Sequence, residues 1–166
     1  MENNSIDNDF YSRQIGAYGL GTQTKIMQMK VFIYGMRGVG IETAKNLVLT
    51  GPNSVTIFDP NPTKINDLTS NYFLKEEDVI NNIRRDEASL LYLSELNPYV
   101  NLSIMDGNDI ILDIEKKSKV NKLKYNLVII TEFLPKKTLE QIDEICRNEN
   151  IGFILSFEFG IYGFDF

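Results

Sequence analysis

Apolar residues along this chain fall into two alternating patterns: short continuous runs, and longer stretches with helical spacing. The run Val31-Phe32-Ile33-Tyr34 predicts a strand buried on both faces, as a parallel sheet requires. After it, Val39, Ile41, Ala44, Leu47 and Val48 can share one broad helical face, and Gly51-Pro52 ends that helix. Ser54-Val55-Thr56-Ile57-Phe58 reads as a second strand, closed by Asp59. Glu76, Glu77 and Asp78 suit the start of a helix, where carboxylates meet the positive end of the dipole. Arg84 to Leu96 predicts another helix, stopped by Asn97-Pro98. Strands follow at Asn101–Met105, Asn126–Ile130 and Ile151–Phe157. Pro135 is placed for the first turn of a helix over Lys136–Asn148. Strands alternating with helices give an α/β class, a Rossmann-like doubly wound and mostly parallel sheet.

The ends and linkers read less regularly. Residues 1–9 are polar and expected to be disordered. Phe10 to Ile15 predicts one or two helical turns broken by Gly16, Gly19 and Gly21, and Thr22 to Met29 predicts a helix leading into the first strand. Residues 115–124 carry Lys116, Lys117, Lys119, Lys122 and Lys124 and read as a solvated loop, with no interleaved aromatics to suggest a nucleic-acid surface. The aromatic tail, Phe159 to Phe166, ends without polar residues. It suggests a fragment of a longer multidomain chain, with residues 10–166 forming one domain.

Composition narrows the chemistry. A chain of 166 residues with 43% hydrophobic and 24% charged content is ordinary for a globular domain. A net charge of −6 argues against nucleic acid as a partner. No stretch reaches the length of a membrane span, and Met1 to Ser5 lacks the basic start of a signal peptide. The single cysteine, Cys146, excludes an internal disulfide and reads as a small core residue. Histidine is absent, which removes the commonest general base and every Ser-His or Cys-His nucleophile pair.

The candidate chemistry sits between the first two strands. Gly35-Met36-Arg37-Gly38-Val39-Gly40 follows a strand and opens a helix, and Asp59 lies 19 positions after Gly40, near where dinucleotide folds place a ribose-binding carboxylate. The fingerprint needs a glycine where Arg37 stands, because that position lets the backbone approach the pyrophosphate. Two readings follow. Gly35 and Gly40 keep the fold while Arg37 plugs the phosphate cradle, or Arg37 clamps phosphate through its planar fork. The backbone approach has the firmer mechanism, so a nucleotide fold that has lost its nucleotide is the reading taken forward.

Three stretches carry a resemblance: Tyr11-Ser12-Arg13-Gln14, the turn and helix from Gly35 to Leu47, and Asp67-Leu68-Thr69-Ser70-Asn71-Tyr72-Phe73-Leu74-Lys75-Glu76-Glu77-Asp78. Together they resemble the ubiquitin-activating enzymes, members of the ThiF-like adenylating superfamily, and more narrowly their N-terminal, inactive adenylation half. The resemblance implies a ThiF-type adenylation fold in a two-halved core. There the partner half binds ATP and magnesium, adenylates the C-terminal glycine of ubiquitin or a ubiquitin-like modifier, and passes it to a cysteine. It also implies that this half binds no cofactor and no metal. The active half's phosphate-turn glycine falls on Arg37, its asparagine and arginine on Asp67 and Ser70, and its magnesium-binding aspartate on Phe133. No correspondence holds around Ile83 to Arg85. One role transfers: Arg13 takes the place of the arginine that reaches in trans to the ATP of the partner half, an arginine-finger arrangement.

The expected function is therefore the non-catalytic adenylation half of a ubiquitin-activating, ATP-dependent ligase of the cytoplasm and nucleus. The fragment alone is expected to be inactive and, without its partner, able to self-associate. The small subunit of the SUMO-activating enzyme is the alternative, set apart by the length of the native chain. A nicotinamide-dependent dehydrogenase would need the glycine that Arg37 replaces. An active adenylyltransferase would bind ATP directly.

Overall fold

The computed structural model describes residues 9–120, 124–160 and 162–166. The expected disorder of residues 1–8 and the middle of the lysine run lie outside them. Two short helices, α1 (Ser12–Tyr18) and α2 (Leu20–Ile26), precede strand β1 (Lys30–Tyr34), helix α3 (Gly38–Thr50) and strand β2 (Ser54–Phe58). A 3₁₀ turn (Ile65–Thr69), α4 (Glu76–Ile80) and α5 (Arg85–Leu96) lead to β3 (Asn101–Ile104). Then come α6 (Ile110–Ser118), β4 (Leu127–Ile130), α7 (Lys136–Asn148), β5 (Gly152–Phe159) and β6 (Tyr162–Asp165). The six strands form one sheet in the order β3-β2-β1-β4-β5-β6, parallel except for the β5–β6 pair. This is the doubly wound sheet expected from the alternating pattern.

Strand periodicity splits the core into two layers. Val31 and Ile33 face one side, with Ile41, Ala44 and Val48 of α3 and Leu93 of α5. Phe32 and Tyr34 face the other, with Ile114 of α6 and Ile142 and Cys146 of α7. Helices on both faces explain why β1 is apolar without alternation.

Four elements, α1, α2, α6 and β6, differ from the sequence expectation. Gly16 and Gly21 lie inside α1 and α2, and only Gly19, at φ +82°, separates the two helices. The second helix runs from Leu20 to Ile26 rather than from Thr22 to Met29. The lysine stretch is not all loop, because α6 runs through Ser118. Asp109 caps it by accepting from the Leu112 N–H at 3.0 Å, and Ile110 and Ile114 point into the core. Lys116 and Lys117 occupy its last turn, where cations suit the helix dipole. Finally, the aromatic tail forms an edge strand, with Phe164 stacked on Phe157 at 5.1 Å between ring centroids. Before β1, Tyr11 anchors α1: its ring packs under Gly51 and its hydroxyl accepts from Asn97 Nδ2 at 3.0 Å.

Candidate functional site at the sheet switch point

Strand order reverses between β1 and β4, and a crevice opens beyond their C-terminal ends, where open α/β sheets hold ligands. Its floor is the glycine turn. Gly35 has φ +96°, and its N–H donates to Phe58 O at 2.9 Å. A side chain there would meet Glu132 Cγ at 2.5 Å and Thr131 Oγ1 at 2.6 Å. At Gly40 a Cβ would overlap the carbonyl oxygen of Gly35 and lie 2.6 Å from Thr131 Oγ1. Both glycines therefore serve strand–helix closure, whatever is bound. The Thr131 hydroxyl fastens the turn, donating toward Tyr34 O at 2.8 Å and Gly35 O at 3.1 Å.

The crevice encloses about 230 Å³, below the roughly 300–1,000 Å³ usual for a small-molecule pocket. Arg37, Ser70, Thr131, Glu132, Phe133 and Glu158 are among its lining residues. Arg37, Ser70 and Phe133, which the resemblance aligns with an active half's phosphate-turn glycine, arginine and magnesium ligand, thus line one crevice. Asp67 joins them through its ion pair with Arg37, and Asp59 is tied to the same turn through the Met36 N–H. Arg13 does not belong to this group. It is exposed on α1 and pairs with no acid among the described residues.

Arg37 does not plug the crevice. Its side chain is 55% exposed and leans on the acids of the wall, with Nε 3.4 Å from Asp67 Oδ1 and 3.7 Å from Glu132 Oε1. Attraction to two carboxylates draws the guanidinium aside, so the cavity stays open.

Asp59 is engaged on every side. Its Oδ2 accepts from the Met36 N–H at 2.9 Å, and its Oδ1 from Asn61 N at 3.1 Å and Asn61 Nδ2 at 3.0 Å. Arg85 adds contacts at 3.4 Å and 3.3 Å to the two oxygens, and the carboxylate is 1% exposed. Arg85 Nε also donates to Asp67 Oδ2 at 2.7 Å. A second pair braces the backbone: Asp86 accepts from the Asp59 N–H at 2.8 Å and is gripped by both Nε and a terminal nitrogen of Arg84. Arg84, Arg85 and Asp86 were not singled out from the sequence, which marks only an ordinary charged helix start there. Nothing local signals that Arg85 reaches back 26 positions to Asp59.

This donor set does not suit a polyphosphate. The cations are engaged by acids, Glu132 and Glu158 line the opening, and Phe133 is 64% exposed where a metal ligand was expected in an active half. Among the described residues no group of three or more His, Cys, Asp or Glu is arranged to hold a metal ion.

Burial pushes the Glu132 carboxyl upward, with Arg37 pulling the other way and Asp59 and Asp67 adding to the rise. The folded chain thus holds this proton at a higher pH than the unfolded chain does. Glu132 weakens stability as pH climbs from its ordinary value, about 4.3, through the raised one. Glu132→Gln should therefore gain stability relative to the parent as pH rises through that window. Urea unfolding at a series of pH values checks this, and parallel curves for the two proteins would refute it.

With the geometry described, comparison with known proteins adds three findings. Residues 11–156 match the model of the ThiF family. Ubiquitin-activating enzyme E1 1 of Schizosaccharomyces pombe is 36% identical over 162 residues, covering 98% of this chain and 15% of that protein. Ubiquitin-like modifier-activating enzyme 6 of Homo sapiens is 38% identical over 146 residues, covering 87% of this chain and 13% of its own length. The chain therefore spans about one-seventh of the length of these relatives. Among solved structures, the tRNA N6-threonylcarbamoyladenosine dehydratase TcdA of E. coli, in complex with ATP, superposes with TM-score 0.74 at 17% identity, over 89% of this chain and 58% of that one. E. coli MccB with ATP gives 0.74 at 22% identity, over 93% of this chain and 46% of that one. At these identities the structural likeness speaks for the fold alone.

Proposed function

Given that the chain belongs to the ThiF family, we propose that it is the non-catalytic adenylation half of a ubiquitin-activating enzyme. In this reading it supports a partner half that binds ATP and magnesium, adenylates ubiquitin or a ubiquitin-like modifier and forwards it as a thioester. The work belongs to the cytoplasm and nucleus. The observation that carries the reading is Asp59. The carboxylate that would meet a ribose in a nucleotide-binding relative is buried and bonded to Met36, Asn61 and Arg85 instead. Similarity to long modifier-activating enzymes supports the assignment of the reaction.

Arg13 is the residue assigned a catalytic role, in trans, on the ATP of the partner half. An exposed guanidinium with no acid beside it among the described residues is free to reach a phosphate held by a neighbour. In the full-length enzyme, Arg13→Ala should slow ATP–pyrophosphate exchange about tenfold or more, the worth of one charge-assisted phosphate contact. The circular dichroism spectrum and melting of this domain should be unchanged, because Arg13 is exposed and its side chain makes no hydrogen bond or ion pair among the described residues. Unchanged exchange would defeat the assignment. ATP titration of the 166-residue chain tests the other half of the reading, with no binding expected at millimolar nucleotide.

A further inference from the structure

Strand β6 ends the sheet on one side, and no described strand lies beyond it. Its ladder to β5 is regular, pairing Ser156 with Asp165, Phe157 with Phe164 and Glu158 with Gly163. At its end Leu155 and Phe166 exchange both backbone bonds at 2.8 Å. Such bonded positions alternate in an antiparallel pair. Phe164 and Tyr162 therefore also spend their backbone groups on β5, while Gly163 and Asp165 turn N–H and C=O outward. Side chains alternate in the same way, so Tyr162, Phe164 and Phe166 stand exposed on one face. Phe164 continues a row of rings that runs back through Phe157 to Phe133, at 5.1 Å and 4.6 Å between centroids. Tyr162–Asp165 contains no lysine, proline or bulge, the usual safeguards of an open edge. The opposite edge, β3, differs: Asn101 and Ser103 are its exposed residues, and Leu102 and Ile104 pack against the core.

We propose that the β6 edge seats a second copy of this chain, joined antiparallel about a twofold axis through Phe164. The edge itself selects that register. Gly163 of each copy then faces Asp165 of the other, and every outward N–H and C=O of these residues gains a partner. Phe164 meets its counterpart at a closely spaced, non-hydrogen-bonded position, and Tyr162 meets Phe166, so aromatic side chains face one another along the seam. The charges agree. An axis through Asp165 would set two carboxylates directly opposite, which is unfavourable. The Phe164 axis sets Asp165 opposite a glycine instead, and no atom lies within 4 Å of where a Cβ on Gly163 would stand. Asp165 also accepts from the Ser156 hydroxyl of its own copy, on the face away from the rings. The pairing is isologous and closes at two copies. It is independent of the adenylation role, which its failure would leave untouched.

The test is sedimentation velocity of the 166-residue chain across a dilution series. The parent should shift from monomer to dimer as concentration rises. Gly163→Pro should weaken the dimer about tenfold or more, because proline deletes an outward N–H and leaves the bonds to β5 intact. Gly163 lacks the positive φ that would forbid proline. Phe164→Lys and Phe164→Glu should each stay monomeric, since each sets like charges on the axis, and an equimolar mixture of the two should recover a dimer. Phe164 is exposed at the edge, so far-UV circular dichroism of both variants should match the parent. If either fails to fold, Gly163→Pro decides alone. A parent that stays monomeric up to about 1 mM overturns the proposal and leaves the edge to a strand of another chain. A parent dimer that Gly163→Pro leaves unweakened overturns it too, as does a mixture of folded Lys and Glu variants that stays monomeric.

Discussion

Gly40→Ala should cost this domain about 3 kcal/mol of stability, near the upper end for overpacking in a closed interior. The added methyl would collide with the carbonyl oxygen of Gly35 and press within 2.6 Å of Thr131 Oγ1. Neither neighbour can yield cheaply. The Gly35 carbonyl belongs to the turn that leaves β1, and the Thr131 hydroxyl bonds both Tyr34 O and Gly35 O. Relief requires α3 to back away from the sheet, which opens contacts of Ile41, Ala44 and Val48 in the core. Gly38→Ala is the matched control. Its methyl meets the mobile end of Glu158, and alanine favours a helix, so its effect should stay within about 1 kcal/mol. Denaturant unfolding of the two variants checks the pair, and equal, small losses would show that Gly40 is not required for closure.

Arg85→Met should be more damaging, by about 3–5 kcal/mol, the usual result of stripping one partner from a buried ionic cluster. Arg85 faces Asp59 and Asp67, which are 1% and 2% exposed, and methionine would leave both carboxylates short of their cation. Burial disfavours the Arg85 charge, but its bonds to Asp67 and Asp59 outweigh that and raise its pKa overall. The cluster should therefore be strongly non-additive. Adding Asp67→Asn to Arg85→Met should recover part of the loss, because one orphaned charge disappears. Unfolding free energies for the single and double variants provide the cycle. A loss below about 1 kcal/mol for Arg85→Met would mean that water or local relaxation solvates the acids, contrary to their burial.

These two effects describe what holds the glycine turn of this Rossmann-like fold in place. The glycines remain because the backbone at Gly35 and Gly40 leaves no room for side chains. Asp59 remains because its carboxylate caps the Met36 N–H and anchors Arg85. Around that frame Glu132 and Glu158 line the crevice beside Arg37, whose guanidinium pairs with the buried Asp67.

Much of this was legible in the chain itself, and for a physical reason: strand burial, helix periodicity and turn glycines are local constraints. Val31-Phe32-Ile33-Tyr34 suggested a strand covered on both faces, and the alternation of strands and helices that follows pointed to the parallel sheet. The missing glycine at residue 37 already marked the phosphate turn as altered. The path of the Arg37 side chain was not legible, because Asp67 and Glu132, which draw it aside, come from two other segments. α6 was obscured by its lysines, although Ile110 and Ile114 stand at helical spacing, and the pairing of the tail with β5 depended on a neighbour provided by the fold. What tertiary structure alone decided is the ionic architecture: Asp59 with Arg85, Asp86 with Arg84, and Glu158 over Gly38. Charges carry no periodicity that reveals their partners. They find them only when packing of the apolar layers has brought distant segments to the same end of the sheet.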